Sequence, residues 1–117
     1  MLLIALFWAA LAFAIVMAIL PRPPQLPGAP SDKVQHILAF TVLTGLALAA
    51  YPRAHVLRIG FSLGLVGAAI EVAQMMPMLH RDGSWLDWLA DCGAVVVVLL
   101  IGAPLRRYLL GRSSAAP

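Results

Sequence analysis

A chain of 117 residues that is 62% hydrophobic and only 11% charged has length for one domain and too few polar residues to surface a water-soluble fold. Its net charge of +3 comes from basic residues scattered singly among apolar stretches, without the aromatic-interleaved basic stripe that nucleic-acid binding uses. The lone Cys92 excludes an intrachain disulfide and a multi-cysteine metal centre, and beside Asp91 in an apolar segment it reads as a packed, inert thiol.

Residues 1–20 are uncharged and, at roughly 1.5 Å per residue, reach about 30 Å, the depth of a bilayer's hydrocarbon. A cleaved signal peptide is the rival reading. Ala12-Phe13-Ala14 has the form of a cleavage site, but the basic leading region is missing, which favours a retained span over 2–20. Ala10, Ala14 and Ala18 form a small-residue row that lets a neighbouring helix approach. The five prolines of 21–30 forbid helix and predict an extended connector outside the hydrocarbon.

Asp32 with Gln35 has capping-box spacing and opens a second span over 33–51, closed by Pro52. A short turn at Arg53, Ala54 and His55 leads to a third span over 56–76, with Arg58 near its start. Gly60, Gly64, Gly67, Glu71 and Gln74 share one helical stripe, so that face should meet protein and carry Glu71 into a bundle. Pro77 ends the helix. A polar loop follows, with a turn signal at Asp82-Gly83, and Ser84 caps a fourth span over 85–103. The apolar run from Cys92 is too short to cross alone, so Asp87 and Asp91 lie within the span or at its mouth. Trp85 and Trp88 fit an interfacial aromatic belt. Residues 104–117 form a short basic tail, expected to fray.

The fold class is therefore all-α: a single-domain integral membrane bundle of four antiparallel transmembrane helices. Arg53, Arg58, Arg106, Arg107 and Arg112 share one side against Arg22, Lys33 and Arg81, which favours cytoplasmic termini. The same topology gathers His36, Glu71, Asp87 and Asp91 within one or two turns of the opposite, extracytoplasmic face, beneath His80, Arg81 and Asp82.

Each of these residues also has a structural reading. Glu71 can clasp a neighbouring helix through His36 or Gln74, and Asp87 can complete a capping box with Ser84. Arg81 and Asp82 read as solvated loop charges, His36 as a hydrogen-bonded histidine, and Met75, Met76 and Met78 as packing. Ionisable groups inside apolar spans nevertheless mark function by default. As a group they can hold a phosphate head group, with Arg81 as the bidentate contact and a carboxylate with His36 moving protons. They also offer oxygen and imidazole donors to a cation, yet no HxxxH, HExxH or CxxC spacing is present, so no metal and no cofactor are assigned. A GxSxG elbow and a phosphate-cradling glycine loop are lacking as well.

Three pieces stand in order on successive spans: Asp32-Lys33-x-x-His36-x-x-x-Phe40, then Glu71-x-x-Gln74, then Arg81-x-x-Ser84-x-x-Asp87-x-x-x-Asp91. In this the chain resembles the VanZ-like family of small bacterial membrane proteins over 32–103, with Asp91 where many members carry asparagine. The resemblance implies a multi-span envelope protein, in a family whose namesake is associated with teicoplanin resistance.

Three functions remain open. The first is a polar pocket of Lys33, His36, Glu71, Gln74, Arg81, Ser84, Asp87 and Asp91 that binds an amphiphile's head group, a lipid-linked wall precursor or a lipoglycopeptide. The second is a lipid-phosphate hydrolase or transferase with Glu71 or Asp87 as base, His36 as acid and Arg81 as clamp. The third is a scaffold whose polar groups only lock helices together. The bilayer is the expected partner in all three, and the alanine and glycine rows permit self-association.

Overall fold

The computed structural model describes residues 1–21, 28, 31–79 and 83–115. Among these, α1 (Leu2–Ile19), α2 (Asp32–Ala50), α3 (Val56–Gln74) and α4 (Trp85–Ala115) are each long and apolar enough to cross a bilayer. They form a rod of 58 × 25 × 24 Å. Its outer faces carry large apolar side chains such as Phe13, Leu38, Phe61, Leu65, Val97 and Leu100, while Thr44, Glu71, Gln74 and Asp91 are buried. Polar groups inside and apolar groups outside are the arrangement that lipid, not water, makes stable. This is the architecture of a four-helix integral membrane protein.

Local chemistry sets the helix ends. Ser31, not Asp32, is the N-cap of α2: its Oγ accepts from the Val34 N–H at 3.4 Å, and Asp32 is the first helical residue. Both residue types cap, and the serine one position earlier takes the role. Pro52 forces Tyr51 out of the helical region (φ −124°, ψ 69°) and ends α2. His55 caps α3 by accepting from the Leu57 N–H at 3.2 Å. Helix α3 stops at Gln74, two residues short of the expected end, and Pro77 opens a 3-10 turn over Pro77–Leu79. Ser84 begins α4 as expected, its Oγ accepting from the Leu86 N–H at 3.2 Å. The connector over 21–30 falls largely outside the described residues.

Helix α4 corrects one expectation outright. The basic tail does not fray after residue 103; the helix runs through Pro104 to Ala115. Proline removes one backbone donor, but its fixed φ is compatible with a helix. The first turn of the continuation brings Arg106 against the end of α2, where Nη1 donates to Tyr51 O at 3.2 Å and Nη2 to Ala54 O at 3.0 Å. That anchor gives the extension a reason to stay helical. At roughly 1.5 Å per residue α4 is about 46 Å long, so its end projects past the hydrocarbon.

Successive helices are antiparallel, as expected. Helices α2 and α4 run parallel and pack closely along their length, because His36 meets Asp91 at one end and Tyr51 meets Arg106 at the other. Helix α1 packs on α2 and α3 through Phe7 and Leu11, with Ala10, Ala14 and Ala18 on the same inward face. Phe40, Leu43, Leu63, Ile70 and Val95 fill the centre. The stripe on α3 also turns inward: Gly67, Glu71 and Gln74 are buried, and Gly60 and Gly64 partly so.

Candidate functional site

The polar groups converge where α2 and α4 begin and α3 ends. His36 stands in the second turn of α2, Glu71 in the last turn of α3, and Asp91 in the second turn of α4. His36 Nδ1 lies 3.4 Å from Asp91 Oδ2 and 3.6 Å from Glu71 Oε1. One donor atom from each of the three falls within 4.8 Å of the other two, close enough to share a metal ion.

Backbone positions these side chains. Gly67 sits one turn before Glu71 on α3, beside Asp91: a Cβ there would stand 3.3 Å from Phe40 Cζ and 3.6 Å from Asp91 Oδ2. A methyl there would meet Asp91 only at ordinary contact distance and press mainly on the Phe40 ring, so the glycine serves the close approach of α2 to α3. At the mouth, the Ser84 N–H donates to Glu71 Oε2 at 2.9 Å. This corrects the capping-box reading of Asp87, because the acid that meets the Ser84 N–H comes from α3 and not from the next turn of α4. The junction is tight, since a Cβ on Gly83 would come within 2.7 Å of Glu71 O and of Met75 Cγ. With Oε2 so held, Oε1 is left turned towards His36.

Asp87 is displaced outward instead, with its Oδ1 3.9 Å from Lys33 Nζ. Gln74 is buried but turned away from the cluster, and its Nε2 donates to Ala18 O at 2.9 Å, joining α3 to the last turn of α1. Trp88 departs from the aromatic-belt expectation: it turns inward and donates from Nε1 to Gly64 O at 3.1 Å, while Trp85 stays exposed. Arg81, His80 and Asp82 lie outside the described residues. Met76 and Met78 are exposed, and Met75, half-exposed, lies against Gly83.

Side-chain exposure falls in steps along the cluster, from 51% at Lys33 and 18% at Asp87 to 12% at His36, 5% at Glu71 and 1% at Asp91. Two oxygens at its inner end, Glu71 Oε1 and Asp91 Oδ1, are shut off from solvent and have no hydrogen-bond partner among the described residues. A buried acceptor without a donor is costly, so a cluster finished as a helix clasp would not leave two. The backbone N–H of Ser84 was not singled out from sequence as a site element.

Comparison of the chain with protein families, with curated proteins and with solved structures finds no match in any of the three.

Proposed function

We propose that this membrane protein binds the polar head group of an amphiphile at the end of the bundle where Lys33, Asp87, His36, Glu71 and Asp91 stand. The graded passage from the half-exposed Lys33 to the buried Asp91 is the observation that carries the reading. A helix-locking cluster has no need of a charged mouth, whereas a head group entering from the interface meets charge first and buried acceptors last. Lys33 gives the mouth a cation for a phosphate-bearing group, as a lipid-linked wall precursor has.

Arg53, Arg58 and Arg106 at the far end favour that end as the cytoplasmic one, so the mouth opens at the outer face of a bacterial plasma membrane. The order of the His36, Glu71–Gln74 and Ser84–Asp87–Asp91 pieces on successive spans supports likeness to the VanZ-like family, and with it a role in the cell envelope and in glycopeptide tolerance.

Mass spectrometry of lipid co-purified with the protein tests the binding. The unaltered chain should be enriched in phosphate-bearing precursor lipid relative to the surrounding membrane, and Lys33→Ala should return the ratio to that of the bulk. Bulk composition on the unaltered chain rejects the reading. Deleting the protein should also raise susceptibility to teicoplanin-type drugs; unchanged susceptibility removes that link alone.

A further inference from the structure

Two carboxylates buried inside an apolar bundle need a proton, a cation or an ion-pair partner to offset the loss of water. Here both face the same imidazole nitrogen, which has one site for one proton. A charge-assisted N–H to carboxylate bond is about 2.7–2.9 Å long. The two distances, 3.4 Å to Asp91 Oδ2 and 3.6 Å to Glu71 Oε1, are longer than that. Ligands at about 2.0–2.2 Å from a tetrahedral first-row ion are separated from one another by roughly 3.3–3.5 Å. His36 Nδ1 thus stands from each carboxylate about as one ligand of a shared ion stands from another. Glu71 Oε1, which has no hydrogen-bond partner among the described residues, turns into the same space, because the Ser84 N–H holds its companion oxygen.

We propose that His36 Nδ1, Glu71 Oε1 and Asp91 Oδ2 form a site for one divalent first-row transition metal ion. Two carboxylates and a neutral imidazole cancel the ion's charge, which removes the penalty of burying them. One nitrogen and two oxygens suit Zn²⁺ or Mn²⁺ better than Mg²⁺ or Ca²⁺, which take oxygen alone. Three protein donors leave a coordination position. Only the use of that position rests on the head-group reading: an ion there takes a phosphate oxygen that the acids by themselves would repel.

The test uses the full chain purified in detergent without chelator, with metal measured by mass spectrometry. It is then stripped with EDTA and titrated with Zn²⁺ and with Mn²⁺ while its melting temperature is followed. About one ion per chain is expected, together with a melting temperature that falls on stripping and recovers on re-addition. Asp91→Asn should lose both the ion and the metal-dependent recovery. Stripped Asp91→Asn should melt above the stripped unaltered chain, because it buries one charge fewer, a sign that loss of packing does not produce.

Glu71→Gln, whose amide oxygen can still accept from Ser84, serves where Asp91→Asn does not fold. An unaltered chain that neither carries an ion nor responds to Zn²⁺ or Mn²⁺ overturns the proposal, and so does full metal content in either variant. Precursor lipid without metal sinks the ion and spares head-group binding; metal without lipid does the reverse.

Discussion

The two ends of the bundle are built from similar residues and finished differently. At the end formed by the close of α2, Trp8 Nε1 donates to Tyr51 Oη at 2.7 Å, His55 accepts from Leu57 N–H, and Arg106 spans the carbonyls of Tyr51 and Ala54. Phe7 packs edge-on against the Tyr51 ring with centroids 6.1 Å apart. Arginine and histidine there are bonded to backbone, and no buried side-chain nitrogen or oxygen at that end lacks a partner among the described residues. At the other end the charged groups face one another at 3.4–3.9 Å, and two buried oxygens lack donors among the described residues. The first end is a clamp. The second keeps two buried acceptors open among the described residues. Polar residues in a membrane bundle therefore divide by whether their hydrogen-bonding capacity is already filled, and not by residue type.

The largest expected effect is at the junction that aims the site. Gly83→Ala places a Cβ against the backbone of Glu71, where only movement of α3 or of the loop can relieve it. A loss of about 3 kcal/mol is expected in detergent unfolding, at the upper end for overpacking. The Ser84 contact to Glu71 should slip with it, so metal content should fall too. Loss of stability with full metal retention would detach the brace from the site. The clamp gives the counterpart. Arg106→Ala leaves two carbonyls without their charged donor and should cost about 2 kcal/mol, with metal and co-purified lipid unchanged. Arg106→Lys should recover only part, since one ammonium cannot reproduce the fork. A fall in bound metal on either change would blur the division between the ends.

Four helices were legible because hydropathy, prolines and caps are local signals. The boundaries of α2 and α3 shift by one or two residues for equally local reasons, such as Ser31 capping in place of Asp32. Helix α4 was read too short because its apolar run ends at Ala103 and a basic tail follows, and what carries the helix on is Arg106 finding carbonyls some fifty residues earlier in the chain. The site was legible as a depth but not as a set. Topology brought His36, Glu71, Asp87 and Asp91 to one face, yet which of them touch depends on how α2, α3 and α4 are rotated. That rotation takes Asp87 out towards Lys33. It also puts the proposed ligand set on three helices, where no spacing motif exists to be found.

Gln74 is the residue on which the comparison of the two ends is most exposed. It stands at the binding end, three residues after Glu71 and equally buried, and by position it belongs among the site residues. By bonding it belongs with the clamp, since its Nε2 donates to Ala18 O, a carbonyl in the last turn of α1 that has no partner within that helix. Gln74→Ala should therefore lower stability by about 1 kcal/mol, the usual worth of an interhelical hydrogen bond in a membrane. Metal content and lipid enrichment should stay at the level of the unaltered chain. Gln74→Glu gives a finer reading, because an ionised carboxylate cannot donate to the Ala18 carbonyl and adds a third acid near the cluster. It should lose at least as much stability as the alanine change while retaining the ion. If either substitution releases the ion, position and not filled bonding capacity decides what a buried polar group does here, and the distinction between the two ends fails.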